Sequence, residues 1–169
     1  IDVGQGDSIL IRQGEEAMLV DAGNNSKGSL VWSYLLSQNI SSLSYVIGTH
    51  PDADHIGGLD VIIYKFDCTH VFMPQKTSNT QTFDEVIQTL KTKSQTYETP
   101  KQGDTYKLGD ATFQILANTD KEYGEDTNNY SLAIRVTYGN NSFIFTGDAE
   151  TEAEADMLGS GLELRSDVY

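Results

Sequence analysis

Short apolar runs alternate with polar, glycine-bearing turns along the 169 residues of this chain, and the alternation predicts strands interleaved with helices. Ser8-Ile9-Leu10-Ile11-Arg12 and Ala17-Met18-Leu19-Val20-Asp21 are strand-like and flank Gln13-Gly14-Glu15-Glu16, a hairpin signal. From Ser29 to Gln38 the apolar residues Leu30, Val31, Tyr34 and Leu35 recur at helical spacing. Ser44 to Gly48 reads as a strand, Gly58 to Lys65 as a helix, and Thr69 to Met73 as a strand stopped by Pro74. Thr82-x-x-Glu85 is a capping-box pattern opening a helix that runs to about Lys93, with Val86, Ile87 and Leu90 on its apolar face. Two further strands, Thr105–Leu108 and Ala111–Leu116, meet at Gly109-Asp110. A polar, irregular stretch from Ala117 to Asn129 precedes a hairpin of Ser131–Tyr138 and Ser142–Thr146. Thr151-x-x-Glu154 then opens a last short helix. Hairpins and strand–helix units together predict a layered α/β or α+β domain with mixed sheets, not a doubly wound parallel sheet.

Length predicts one domain over 1–169. Ile1-Asp2-Val3 reads as the middle of a strand and Ser166–Tyr169 as the start of another, so the domain is expected to be incomplete at both ends. No run of eighteen apolar residues occurs, so no membrane insertion by this segment is expected. The net charge of −14 repels polyanions at long range and counts against tight nucleic-acid binding by this chain alone. Part of that acidity is expected to hold metal. The lone Cys68 sits among apolar residues and reads as a small buried side chain.

The chemistry concentrates in Thr49-His50-Pro51-Asp52-Ala53-Asp54-His55-Ile56-Gly57-Gly58, directly after the apolar Tyr45-Val46-Ile47. Two imidazoles and two carboxylates within six residues suit zinc, and the oxygen-rich part also suits manganese. His50 and Asp52 share a direction on an extended loop. Asp54 and His55 point apart and could serve a second ion. The alternative is a polar loop capping the next helix, with Asp52 or Asp54 at the N-cap. Asp148 ends the strand Phe145-Thr146-Gly147-Asp148, a placement equally suited to an active-site acid or a turn residue. Asp21 also ends a strand and could orient a ligand histidine, or simply turn the chain. Asp126-Thr127-Asn128-Asn129-Tyr130-Ser131 is a turn by composition whose side chains could reach the same rim. His70, the third histidine, reads as structural.

Five strings in register carry a resemblance: Ile1-Asp2-Val3-Gly4-Gln5-Gly6-Asp7-Ser8, Val20-Asp21-Ala22-Gly23, the 49–58 loop, Asn128-Asn129-Tyr130-Ser131-Leu132 and Phe145-Thr146-Gly147-Asp148-Ala149-Glu150. Together they resemble the metallo-β-lactamase-fold domain of the ComEC/Rec2 competence family. Asp52 stands where the wider superfamily has a second histidine, as in the competence-type branch, and no third-motif histidine is evident near Asn128 and Asn129.

The resemblance implies an α+β fold, a four-layer αββα sandwich of two mixed sheets with the site at one edge. It implies two divalent metal ions, Zn or Mn. His50 and Asp52 would help hold one, Asp54 and His55 the other, and Asp148 would bridge. Asp54 would also act as catalytic base. Asp21 would stand behind the ligands, with Asp7, Gln5, Asn128 and Asn129 at the rim. The implied activity is phosphodiester hydrolysis, as a DNA nuclease in DNA uptake with single-stranded DNA as substrate. A membrane channel domain of the same longer chain would be its partner, at the extracellular face of a bacterial membrane or in a secreted form. The alternatives are a metallo-hydrolase of another phosphoester at the cell surface, or a degenerate, non-catalytic module. A Gly-His-His-Gly-Ser-like segment is implied beyond residue 169.

Overall fold

Gly14 adopts φ +59°, a left-handed value that costs glycine little, and so closes the hairpin between β1 (Ile9–Gln13) and β2 (Glu16–Val20). The computed structural model describes residues 1–169. From β2 the chain passes through α1 (Gly28–Ser37) to β3 (Ser42–Ile47), and through α2 (Ala53–Ile56) and α3 (Leu59–Lys65) to β4 (Asp67–Phe72). Each crossover returns the chain in the same direction, so β2, β3 and β4 are parallel and β1 alone is antiparallel, in the order β1-β2-β3-β4. After α4 (Gln81–Thr92), a second sheet forms from β5 (Thr105–Leu108), β6 (Ala111–Ile115), β7 (Ile134–Tyr138) and β8 (Asn141–Phe145), followed by α5 (Thr151–Gly159).

The layering follows the two-residue period of β2. Met18 and Val20 face the second sheet, where they join Tyr45, Ile47, Phe72, Phe113, Ile115 and Ile134. Ala17 and Leu19 face the opposite way, onto Val31 and Leu35 of α1, Ile62 and Ile63 of α3, and Val86 and Leu90 of α4. Leu19, Leu35, Ile62 and Ile63 are 0% exposed. Each such side chain contributes about 1.5–3 kcal/mol by burial, so the helical layer fixes how the first sheet lies. The expected α+β sandwich is therefore present.

Its details differ from expectation in four places. The second sheet is antiparallel throughout rather than mixed: short turns join β5 to β6 and β7 to β8, and the long 116–133 connection brings β7 back antiparallel to β6. Residues 1–3 form no strand; Val3 is 2% exposed and packs in the helix-side core. At the other end, Val168 makes one parallel bridge to Phe143. The predicted capping boxes are shifted as well. Thr80, not Thr82, caps α4, its hydroxyl accepting from the Phe83 N–H at 3.3 Å, while Thr82 donates to Asn25. Glu150 stands at the N-cap of α5 without a side-chain cap of its own. The cap comes from Asn129, whose Oδ1 accepts from the N–H groups of Glu150 (3.1 Å) and Ala153 (3.0 Å).

Candidate metal centre

The parallel strands β2 and β3 end side by side, and their ends deliver Asp21 and the Thr49-His50 pair. Asp21 has φ +57°, an uncommon conformation for a residue with a Cβ, and is 0% exposed. Three hydrogen bonds hold it there. Its carboxylate accepts from the Thr49 N–H at 2.8 Å, from the Thr49 hydroxyl at 2.7 Å and from His55 Nδ1 at 2.9 Å. Such strain persists where the surroundings over-determine it, as at functional sites.

These bonds decide the tautomers of both imidazoles. His55 gives its Nδ1 proton to Asp21, which leaves Nε2 facing Asp148 Oδ1 at 3.3 Å. The Thr49 hydroxyl has one hydrogen and gives it to Asp21, so towards His50 Nδ1, 3.0 Å away, it can only accept. The His50 proton therefore lies on Nδ1, with Ser131 Oγ at 3.3 Å as a second neighbour. His50 Nε2 then carries a bare lone pair. It is fully buried and has no hydrogen-bond partner. An orphaned buried acceptor costs about 1–3 kcal/mol unless something occupies it.

A cation is what this arrangement fits. The two ring centroids are 4.2 Å apart, and one ligand atom each from His50, His55 and Asp148 lie within 4.8 Å of one another. Two imidazoles and one carboxylate, backed by a buried acid, form a donor set suited to zinc and related ions once a cation displaces the His55 Nε2 proton. Asp52 stands beside this set, with its carboxylate 3.8 Å from His50 Nε2. A second grouping, Asp7 with Asp21 and His55, shares the same imidazole.

The electrostatics follow from the packing. Burial lowers the pKa of His50, and the neighbouring His55 lowers it further. Burial also disfavours charge on His55, but the hydrogen bond and charge of Asp21, then Asp148 and Asp54, outweigh it and lift its pKa to about 9. The Asp7 carboxyl is raised by burial and by the nearby Asp21 and Asp148. For Asp54, burial works upward, yet a hydrogen bond from the Gln5 amide (3.1 Å) and the nearby imidazoles hold it below the usual carboxylate range.

Most of the residues expected at the site gather there, in unequal roles. His50, His55 and Asp148 form a grouping that could hold a metal ion, and Asp21 stands behind it. Asp54 turns towards Gln5 and lies outside both ligand groupings. The Gln5–Asp7 segment presses on the metal loop so closely that a Cβ at Gly6 would overlap the Asp54 carbonyl oxygen. Asn128 binds Glu150 at 2.9 Å and Asn129 caps α5, so both shape the wall behind Asp148 rather than its mouth. Thr49 is a site residue that the sequence does not single out, although a hydroxyl directly before His50 is a usable signal; Ser131, 81 positions away, belongs to the polar turn expected near the rim, and its contact with His50 is set by packing. Gly147, at φ +54°, lets the chain pass Thr49 and Ser131, where a Cβ would come within 3.0 and 3.1 Å of them.

Comparison with known proteins agrees with this geometry. The chain is 26% identical over 186 residues to ComE operon protein 3 of Bacillus subtilis (strain 168), covering 99% of this chain and 24% of that protein. It is 30% identical over 159 residues to Recombination protein 2 of Haemophilus influenzae, covering 91% of this chain and 18% of that protein. It thus spans about a quarter or less of these two relatives. Exodeoxyribonuclease YycJ of Bacillus anthracis is 26% identical over 170 residues, 92% of this chain and 62% of that protein. Among solved structures, the metallo-beta-lactamase SMB-1 superposes with a TM-score of 0.62 at 15% identity, over 96% of this chain and 71% of that one, which shows a shared fold. The sequence matches the metallo-beta-lactamase superfamily over residues 1–167. With two imidazoles and an acid meeting at the strand ends of a two-sheet sandwich, the chain belongs to the metallo-beta-lactamase superfamily.

Proposed function

We propose that this domain hydrolyses phosphodiester bonds in DNA, as a nuclease associated with DNA uptake, and that it works with two divalent ions, Zn or Mn. The carrying observation is the buried, unpartnered Nε2 of His50 set beside His55 and Asp148. The choice of DNA rests on the similarity to ComE operon protein 3 and to a relative named as an exodeoxyribonuclease. His50 and Asp52 would help hold one ion and His55 and Asp54 the other, with Asp148 shared between them. When bound, the metal pair supplies Lewis acidity towards a phosphoryl oxygen.

The chain's own residues do the rest. Asp21 fixes the His55 ring and, through Thr49, the His50 ring, so neither must reorganise during turnover. Asp54, the carboxylate of the same loop that accepts from the Gln5 amide, takes the proton of the attacking water as the new P–O bond forms. The P–O bond to the departing sugar oxygen breaks, and that oxygen is protonated from solvent. No covalent enzyme intermediate is required.

The test uses purified protein stripped of metal and reloaded with Mn or Zn. Cleavage of single- or double-stranded DNA that appears with metal and vanishes with chelator supports the proposal; metal-loaded protein that cleaves neither refutes it. A second reading is favoured by the net charge of −14, which opposes a polyanion: hydrolysis of a small phosphoester at the cell surface. Turnover of small phosphodiesters without DNA cleavage selects it. No helix is long and apolar enough to cross a membrane. A channel domain in the same longer chain, with this domain at the extracellular face, is the partner and location we propose.

A further inference from the structure

The centre is built of acids and two imidazoles and has no lysine or arginine among its grouped residues, so a cationic side chain near it is a candidate contact for a phosphodiester. Eleven lysines and arginines are available against twenty-five acids. One lysine lies within the 117–131 segment that carries Ser131 to His50, and another packs against it from outside. Lys121 is neutralised, with Asp156 at 2.7 Å and Glu152 at 3.1 Å from its nitrogen. Lys76 is not. Its ammonium donates to the Gly124 carbonyl, 2.6 Å away, and sits 5.2 Å from the Tyr130 ring centroid. It has no carboxylate partner, although acids outnumber bases more than two to one.

Its position ties it to the centre. β4 lies beside β3, and the two strands end together: the Gly48 N–H donates to the Phe72 carbonyl at 2.9 Å. From there β3 runs on to His50 and β4 runs on to Lys76. Tyr130, under the Lys76 ammonium, directly precedes Ser131, whose hydroxyl is 3.3 Å from His50 Nδ1. Leu132 N–H, one step further, donates to the Thr49 carbonyl at 2.9 Å. A carbonyl and an aromatic face hold the ammonium in place; the Glu122 carboxylate bonds the Tyr130 hydroxyl at 2.8 Å but forms no ion pair with Lys76, and at least one of the three ammonium donors remains free.

We propose that Lys76 binds a phosphate of the substrate strand adjacent to the one cleaved, and so selects substrates with more than one phosphate over isolated phosphoesters. The inference rests on the phosphodiesterase reading of the metal centre. A purely structural Lys76 would only pin the 117–131 segment through Gly124.

Metal-loaded wild type, Lys76→Gln, Lys76→Arg and the distant control Lys91→Gln are compared on single-stranded DNA across a salt series. Lys76→Gln is expected to raise KM about tenfold with kcat nearly unchanged. Its log KM should depend less steeply on log salt, by about 0.7. Lys76→Arg should restore both values and Lys91→Gln should match wild type. An unchanged KM and salt slope, or a loss confined to kcat with a lowered Tm, overturns the inference. Fluorescence anisotropy of a labelled strand in the same salt series separates it from the activity itself. If wild type cleaves no DNA, the nuclease reading falls, and weaker, less salt-dependent binding by Lys76→Gln still supports the phosphate contact. Equal binding by the two proteins, or no binding by wild type, removes it.

Discussion

His50 and His70 both stand on or just beyond strands of the first sheet, yet their surroundings differ in every respect that matters for chemistry. The His70 side chain is 41% exposed, its Nδ1 pairs with Glu98 at 2.9 Å, and its ring stacks on Tyr45 with centroids 5.1 Å apart. Water can reach it, and its contacts stabilise a sheet face. The His50 side chain is 0% exposed, one nitrogen is held by hydroxyls, and the other has nothing to bind. An imidazole placed so that burial leaves one lone pair over is unfavourable as pure structure and sensible as a ligand. Residue type alone would not separate the two.

The comparison breaks most clearly by deletion. His50→Ala is expected to lower hydrolysis by more than about a hundredfold and to abolish the rise in Tm on adding Zn or Mn, as read by metal analysis and thermal melting. His70→Ala should leave metal content unchanged and cost no more than about 1 kcal/mol, because its contact with Glu98 is exposed. Equal metal binding by both variants would end the distinction.

The second effect concerns the acid behind the ligands. Asp21→Ala leaves the Thr49 N–H and His55 Nδ1 without their acceptor, and denaturant unfolding should show a loss of about 3 kcal/mol. Asp21→Asn keeps most of the fold, because asparagine tolerates positive φ. Its amide oxygen is a weaker acceptor, so metal affinity by competitive chelation should fall about 10–100-fold. An Asn variant with wild-type affinity would show that backbone shape, not the carboxylate, sets the rings.

The smallest effect lies beside His70 on β4. Burial pushes the Cys68 thiol up to about 12, so the thiolate is scarce near pH 8 and grows only as pH approaches that value. Alkylation by iodoacetamide should be slow in the folded protein and fast after unfolding. Rapid native labelling would mean that Cys68 is not held against the helix-side core.

Much of this contrast was legible in the sequence, since the 49–58 loop announces metal and Phe145-Thr146-Gly147-Asp148 announces a strand-end acid. The hairpins at Gly14, Gly109 and Gly139 were equally readable, because positive φ at a turn has few solutions. What could not be read depends on contacts between distant residues. Thr82 looked like a cap because of Glu85, yet it lies inside the first turn and answers to Asn25. Asn129 looked like a rim residue and instead closes the end of α5. Asp54 fits the ligand spacing, but the Gln5 amide, 49 residues earlier, draws it aside. Local spacing predicts which groups are near one another in the chain; packing decides which way each one faces.

Asp21 reaches one imidazole directly and the other through a single threonine hydroxyl. Both metal-facing nitrogens thus take their protonation pattern from one buried side chain. The centre should therefore fail as a unit rather than ligand by ligand: a lineage that exchanged residue 21 would lose the readiness of both rings in a single step, while every coordinating residue still stood in its sequence.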